Sequence, residues 1–252
     1  KNMKKTGLAL GGGAALGAAH VGVLRTIKEY NININYVAGT SIGALAASFF
    51  AFGVPIDKIE EMTLGLKWVD ISRLSLSKYG LLKNDKLSHL IKKYIGDKNI
   101  EEANIPLAIV AADVATGEKV VLKSGSLIDA VQASTCIPGI FIPVEIDDRM
   151  LVDGGLVENV PVNTVKNMGA KLVIAVDLNA KHKYNKPDNI FDVIINSFHH
   201  LLKVPVKLQT KTVDFLLTPD LGEFSRTNTK NIPEMIEKGY IEAQKVLKSI
   251  KS

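Results

Sequence analysis

The 252-residue chain has a single cysteine, Cys136, and a single tryptophan, and aromatic residues make up only 6% of it. One cysteine excludes an intrachain disulfide and fits a reducing cytosol. No uninterrupted apolar run reaches the ~20 residues that a helix needs to cross a bilayer. Lysine and arginine exceed aspartate and glutamate by 31 to 26, for a formal charge of +5. The lysines are scattered and not interleaved with aromatics, so a nucleic-acid groove is not expected. Attraction to an anionic membrane surface is allowed, although most of these lysines read as ordinary solvated surface. Internal repeats, low-complexity tracts and Pro/Gly/Ser-rich linkers are missing as well. The N-terminal Lys4-Lys5 followed by Leu8-Ala9-Leu10 has the outline of a signal peptide. Three consecutive glycines would break its apolar helix, so the expected location is cytoplasmic, at most peripheral to a membrane.

What is present is apolar: 46% hydrophobic residues, with 20 glycines. That suffices for one large core, and the expected organisation is one domain over 1–252. Strand-like runs alternate with helical patterns, which points to an α/β fold with a mainly parallel sheet. Residues 57–95 read as a helical insertion or cover, and 190–252 as a helical C-terminal part. Within the first, residues 64–82 could be a mobile cover over an apolar pocket, a lipid-touching surface, or ordinary packing. The periodicity from Ile190 to Leu202 predicts an amphipathic helix. Its apolar face would be Phe191, Ile194, Ile195, Phe198, Leu201 and Leu202, with Asp192, Asn196, His199 and His200 opposite, in solvent.

The stretch with the clearest chemistry is Tyr36-Val37-Ala38-Gly39-Thr40-Ser41-Ile42-Gly43-Ala44-Leu45. It reads as strand, sharp turn and helix, with Ser41 at the turn. Such a turn strains the serine backbone and lifts its hydroxyl above the sheet. It also crowds Gly39 against Gly43, so both must be small. The helix start favours developing negative charge. A Gly-rich turn in which Ser41 merely caps the helix fits the same ten residues.

A second glycine loop, Gly11-Gly12-Gly13-Ala14-Ala15-Leu16-Gly17, follows the strand Thr6–Leu10. Backbone N–H groups converging there could hold a phosphate or the transient oxyanion of acyl transfer. The spacing misses the dinucleotide fingerprint, and no Gly-Lys-Ser/Thr follows for a P-loop. The next parallel strand would deliver Ser41 beside this loop, which favours the oxyanion.

A serine nucleophile needs a base. Of the five histidines, only His182, His199 and His200 follow in the usual hydrolase order, and none has a supporting motif. Asp153 ends a predicted hairpin, Val144–Ile146 with Arg149–Val152, and opens Asp153-Gly154-Gly155. A shielded carboxylate there could take the serine proton; a turn aspartate bonding its own backbone is the plainer alternative. Asp147, Asp148 and Asp153 lack metal-ligand spacing, so no metal site is expected.

Three blocks together carry a resemblance. They are Gly11-Gly12-Gly13-Ala14-Ala15-Leu16-Gly17-Ala18-Ala19-His20-Val21-Gly22-Val23-Leu24, Gly39-Thr40-Ser41-Ile42-Gly43 and Asp153-Gly154-Gly155. In this order they resemble the signature blocks of the patatin-like phospholipases. Ala133-Ser134 through Pro138, Phe141 and Pro143-Val144 resemble a flanking segment of that family, as does Asn159-Val160-Pro161-Val162. The likeness spans about residues 6–178. It implies a three-layer α/β/α fold with a mainly parallel central sheet, and hydrolysis of phospholipid or other lipid acyl esters. It also implies a Ser–Asp dyad without histidine, with no metal or cofactor needed. Carried over, Ser41 is the nucleophile, Asp153 the base, and the N–H groups of Gly11, Gly12 and Gly13 the oxyanion hole, supported by Gly39, Gly43, Gly154 and Gly155. One position departs: Leu16 stands where the family's loop carries Arg or Lys. An acyltransferase and a catalytically weak lipid-binding regulator on the same fold are the alternatives. A nucleotide-binding α/β protein is disfavoured by the glycine spacing.

Overall fold

The computed structural model describes residues 5–65, 73–74, 82–83, 85–181, 183, 186–187 and 190–250. Most of the expected cover over 64–82 lies outside the described residues, as does His182.

The chain opens with strand β1 (Thr6–Leu10), the glycine loop, a 3-10 turn (Ala14–Ala18) and helix α1 (Ala19–Glu29). Then come β2 (Tyr36–Thr40), α2 (Ile42–Ala51) and α3 (Ile56–Leu64). A short antiparallel pair, β3 (Arg73–Leu74) with β4 (Leu82–Lys83), precedes α4 (Asp85–Tyr94). The centre of the chain supplies β5 (Leu107–Asp113), β6 (Lys119–Leu122) and α5 (Leu127–Ser134), the last capped as expected by Ser126 accepting from Asp129 N–H. The hairpin β7 (Val144–Ile146) and β8 (Arg149–Asp153) turns on Asp147 and Asp148. Both have positive φ, the backbone of a tight two-residue hairpin turn. The chain continues through α6 (Gly155–Glu158), α7 (Val162–Asn167), β9 (Leu172–Val176), α8 (Ile190–Gln209), β10 (Phe215–Leu217) and α9 (Ile232–Leu247).

The main sheet runs β10-β9-β1-β2-β5-β8-β7, with β6 also on β5. The β10–β9, β9–β1, β1–β2 and β2–β5 pairs are parallel; the hairpin and β6 join antiparallel. Alternation along the strands sorts side chains by size. Leu8, Leu10, Val37, Ile109, Ile174 and Val176 point into a core shared with α1, α2 and α9. Ala9, Ala38, Ala108, Val173 and Ala175 face the other way, against α7 and α8. Period-two alternation thus gives a bulky face and a flat alanine face, each covered by helices, and the three-layer expectation holds.

One expected face is wrong. α8 continues past Leu202 to Gln209, and His199 is buried while Leu201 is exposed. The helix packs through Ile195, His199, Leu202 and Val206, a regular i, i+4, i+7, i+11 stripe. Other apolar residues of the helix form a second stripe, which hydropathy alone could not tell from the packed one.

Candidate active site

Two strands meet end to end on one edge of β5. Ile109 and Val110 pair with both β2 and β6, so those two strands lie on opposite edges. Ala111 and Ala112 pair with both β6 and β8, so β8 shares the edge of β2. β2 runs parallel to β5 and stops at Thr40, opposite Val110; β8 runs antiparallel and stops at Asp153, opposite Ala111. Their C-terminal ends therefore abut. Ser41 follows β2, and its Oγ donates to Asp153 Oδ2 at 2.6 Å.

The junction interrupts backbone pairing, and Ser134 of α5 bridges it. Its Oγ accepts from Ser41 N–H at 2.8 Å and donates to the Val110 carbonyl at 2.6 Å. Ser41 itself has φ 56° and ψ −130°. A non-glycine residue there costs roughly 1–3 kcal/mol, which the surrounding packing must offset. The strain arises because β2 turns into α2 within one residue. Gly39 and Gly43 crowd each other as the turn requires: a Cβ on Gly39 would lie 2.4 Å from the Gly43 carbonyl. A Cβ on Gly154 would lie 2.1 Å from the Val110 carbonyl, so only glycine lets β8 leave the sheet there.

Asp153 is 1% exposed. Its Oδ2 accepts from Ser41, and its Oδ1 from Gly155 N–H at 2.8 Å. Burial pushes its pKa up to about 7, against the smaller opposing pull of those two hydrogen bonds. A carboxyl poised there can both accept and return a proton near neutrality. Neighbouring Cys136 is a dormant thiol, pushed up to about 12 by burial and by the Asp153 charge.

The glycine loop lies directly on Ser41: a Cβ on Gly12 would come 3.0 Å from Ser41 Cβ and 2.7 Å from Asn159 Oδ1. Its three N–H groups are not equivalent. Gly11 N–H donates to the Val176 carbonyl and Gly12 N–H to the Asn159 carbonyl, both at 3.1 Å. Two of the three expected oxyanion donors are thus engaged by the fold, because the chain leaving β1 continues to bond its neighbours. Gly13 N–H has no acceptor among the described residues.

That third N–H is aimed from behind. In a trans peptide the carbonyl of one residue and the N–H of the next point in opposite directions. The Gly12 carbonyl accepts from Asn179 Nδ2 at 2.8 Å, which fixes the direction of Gly13 N–H. Asn179 Oδ1 accepts in turn from Arg226 Nε at 3.2 Å and Nη2 at 2.9 Å. Arg226 is buried, and its carbonyl accepts from Ala15 N–H at 3.0 Å, on the same loop. Leu16 is fully buried in the core, and the Arg226 guanidinium reaches the loop through Asn179.

His20 is buried and lowered to about 4 by that burial, so it is neutral; its Nε2–H donates to the Gly11 carbonyl at 2.8 Å. The Ser41 hydroxyl bonds Asp153 and none of the described histidines. Asp147 and Asp148 occupy the hairpin turn at the far end of β8, and among the described residues no three His, Cys, Asp or Glu side chains are grouped to hold a metal. Beside the Ser41 turn a shallow apolar pocket, open to solvent, is lined by Ala14, Ile42, Leu45, Ala46, Phe49 and Met62, among others. Two of its lining residues, Ala14 and Ile42, directly follow Gly13 and Ser41 in the chain.

The structure brings Ser41, Asp153 and the Gly12-Gly13 peptide together. It adds Ser134, Asn159, Asn179 and Arg226. The first two lie in segments that carried the family resemblance; no sequence signal marked the other two.

The patatin-like phospholipase family model matches residues 8–166. An NTE family protein of Mycobacterium tuberculosis is 36% identical over 178 residues, 69% of this chain and 49% of that protein. A patatin-like phospholipase domain-containing protein of Caenorhabditis elegans is 34% identical over 191 residues, 72% of this chain and 14% of that protein. The chain thus spans about half or less of the length of these relatives. VipD from Legionella pneumophila shares the fold with a TM-score of 0.67 at 14% identity, covering 98% of this chain and 67% of that one. With a family match over most of its length, on a sheet that carries Ser41 and Asp153 in contact, the chain belongs to the patatin-like phospholipases, a family of lipid hydrolases.

Proposed function

We propose that the chain is a serine acyl hydrolase acting on lipid esters, as a phospholipase A, lysophospholipase or lipid esterase. Ser41 is the nucleophile and Asp153 the base. The observation that carries this is the Ser41 Oγ to Asp153 Oδ2 hydrogen bond, buried beside the Gly12-Gly13 peptide. Ser41 Oγ attacks the ester carbonyl while its proton passes to Asp153. The carbonyl oxygen becomes an oxyanion and takes the Gly13 N–H, at the positive end of α2. The intermediate collapses, the alcohol leaves with the proton held by Asp153, and an acyl-Ser41 remains. Water attacks that ester with Asp153 again as base; the proton returns to Ser41 as the acid leaves. The acyl chain occupies the apolar pocket beside Ile42. Asn179 and Arg226 are positioning residues that aim the Gly13 N–H.

A fluorophosphonate probe tests the assignment. Intact-mass and peptide analysis should find one adduct, on Ser41, with loss of p-nitrophenyl ester hydrolysis in proportion. Full labelling elsewhere with Ser41 unmodified would overturn it.

A further inference from the structure

Helix α8 carries a second apolar stripe that is largely exposed. Ile190 is 63% exposed, Val193 43%, Leu201 73%, Val204 68% and Leu208 70%. At 100° per residue these side chains fall within an arc of about 80°, over about 27 Å of helix. The arc lies opposite the packed stripe of Ile195, His199, Leu202 and Val206. Single exposed apolar residues are ordinary; an aligned row along one helix is not.

The exposed charges of α8 itself have one sign. Lys203 and Lys207 are exposed on its flank, and Lys211 follows just beyond the helix. None of the three is in an ion pair among the described residues. The acidic residue of α8, Asp192, is turned to the protein, where it accepts from Thr227 Oγ1 at 3.1 Å. An apolar strip edged by lysine is the surface that lies in the headgroup region of an anionic bilayer. A two-fold pairing of α8 with itself would instead set lysines of both copies along one seam, with no carboxylate there to meet them.

We infer that this outer face of α8 docks the protein on an anionic lipid surface. The inference stands on α8 alone and does not depend on Ser41 being a nucleophile. It has a consequence for the site, because the inner side of α8 supports the Asp153 loop. The Phe198 ring would meet a Cβ on Gly155 at 3.2 Å, and Ile195 shares a core with Ile140 and Val157. Docking through α8 would bring the Ser41 turn close to the lipid without an added domain.

Flotation of the 252-residue chain with vesicles tests this. The chain should float with mixed phosphatidylcholine–phosphatidylglycerol vesicles and much less with phosphatidylcholine alone. Leu201→Gln with Leu208→Gln should weaken binding about tenfold or more, since a buried leucine contributes more than the 1.4 kcal/mol of one decade. Lys203→Glu with Lys207→Glu should remove the preference for the anionic vesicles. All four positions are exposed, so melting temperature and hydrolysis of a soluble short-chain ester should match the native chain. No flotation of the native chain would overturn the proposal, as would flotation unchanged in the leucine variant. Sedimentation as a dimer that the leucine changes split would also overturn it, and would make the stripe a self-interface.

Discussion

Ser41 and Asp153 stand 112 positions apart in sequence and 2.6 Å apart in space, because β2 and β8 stop against each other on the same edge of β5. A parallel strand and an antiparallel strand can share an edge only by meeting head to head. Here the two C-terminal ends face each other, and the residues at the meeting point are a serine and a carboxylate. Ser134 fills the gap that the missing ladder bonds would leave.

Removing either member of the pair should remove the chemistry. Ser41→Ala and Asp153→Asn are each expected to lower ester hydrolysis by roughly 10³-fold or more, and the double variant by no more than the single ones, since the residues act as a unit. Steady-state kinetics with melting curves checks this. A Ser41→Ala protein within tenfold of native turnover would remove the nucleophile.

The titration of Asp153 makes two pH predictions. A base must be ionised, so kcat/KM should rise with pH through a midpoint near 7, the value to which burial lifts this carboxyl. Stability should move the other way. The folded pKa lies above the ordinary value of 3.8, so the folded state holds the proton more tightly. Its stabilisation is complete below about pH 4 and is lost as pH rises through about 7. Asp153→Asn has no such proton to lose, so its melting temperature should gain on the native chain across that window. A constant difference from pH 4 to 8 would contradict the shifted carboxyl.

Asn179→Ala should lower kcat by about 10- to 100-fold with KM little changed, a part of the ~10²–10³ that loss of an oxyanion donor costs. Arg226→Met should do the same through Asn179. Because Arg226 is buried, its variant must be compared at equal folded fraction, by active-site titration with the fluorophosphonate. A rise in KM alone would place both residues in substrate binding instead.

Acyl length should be set by the pocket beside Ile42. Ala46 lines it, and Ala46→Phe would fill part of its volume. Hydrolysis of long-chain p-nitrophenyl esters should fall about tenfold or more relative to short-chain ones, as lost apolar burial of a few methylenes predicts. An unchanged chain-length profile would place the acyl chain elsewhere.

The two neighbouring histidines of α8 should separate cleanly. His200 is exposed, and His200→Ala should alter turnover less than about twofold, as surface changes away from a site do. His199 is buried against the ring of Phe198, so His199→Ala should lower the melting temperature while leaving activity per folded molecule unchanged. Loss of activity in a folded His199→Ala protein would restore a histidine to the mechanism.

Local pattern in the sequence was enough to place most elements. The apolar runs of β1, β2, β5 and β9, the Ser126 cap and the two-residue turn at Asp147 and Asp148 each depend on neighbours a few positions away. So does the turn at Ser41, where Gly39 and Gly43 must be small because they face each other across five residues. The parallel order then brings the Gly11–Gly13 loop beside Ser41, since β1 and β2 pair. The remainder was settled at long range. No periodicity reveals that Gly11 and Gly12 N–H groups are taken by Val176 and Asn159, or that Asn179 grips the Gly12 carbonyl and is itself held by Arg226, both from segments far along the chain. Nor could hydropathy say which stripe of α8 would be buried, because both are apolar and only the alanine face of the sheet selects between them. The sequence by itself determined the strand–turn–helix that strains Ser41 and the glycines that permit it. Tertiary structure alone decided that Asp153 meets Ser41, which N–H of the glycine loop has no acceptor among the described residues, and which face of α8 stays in the open.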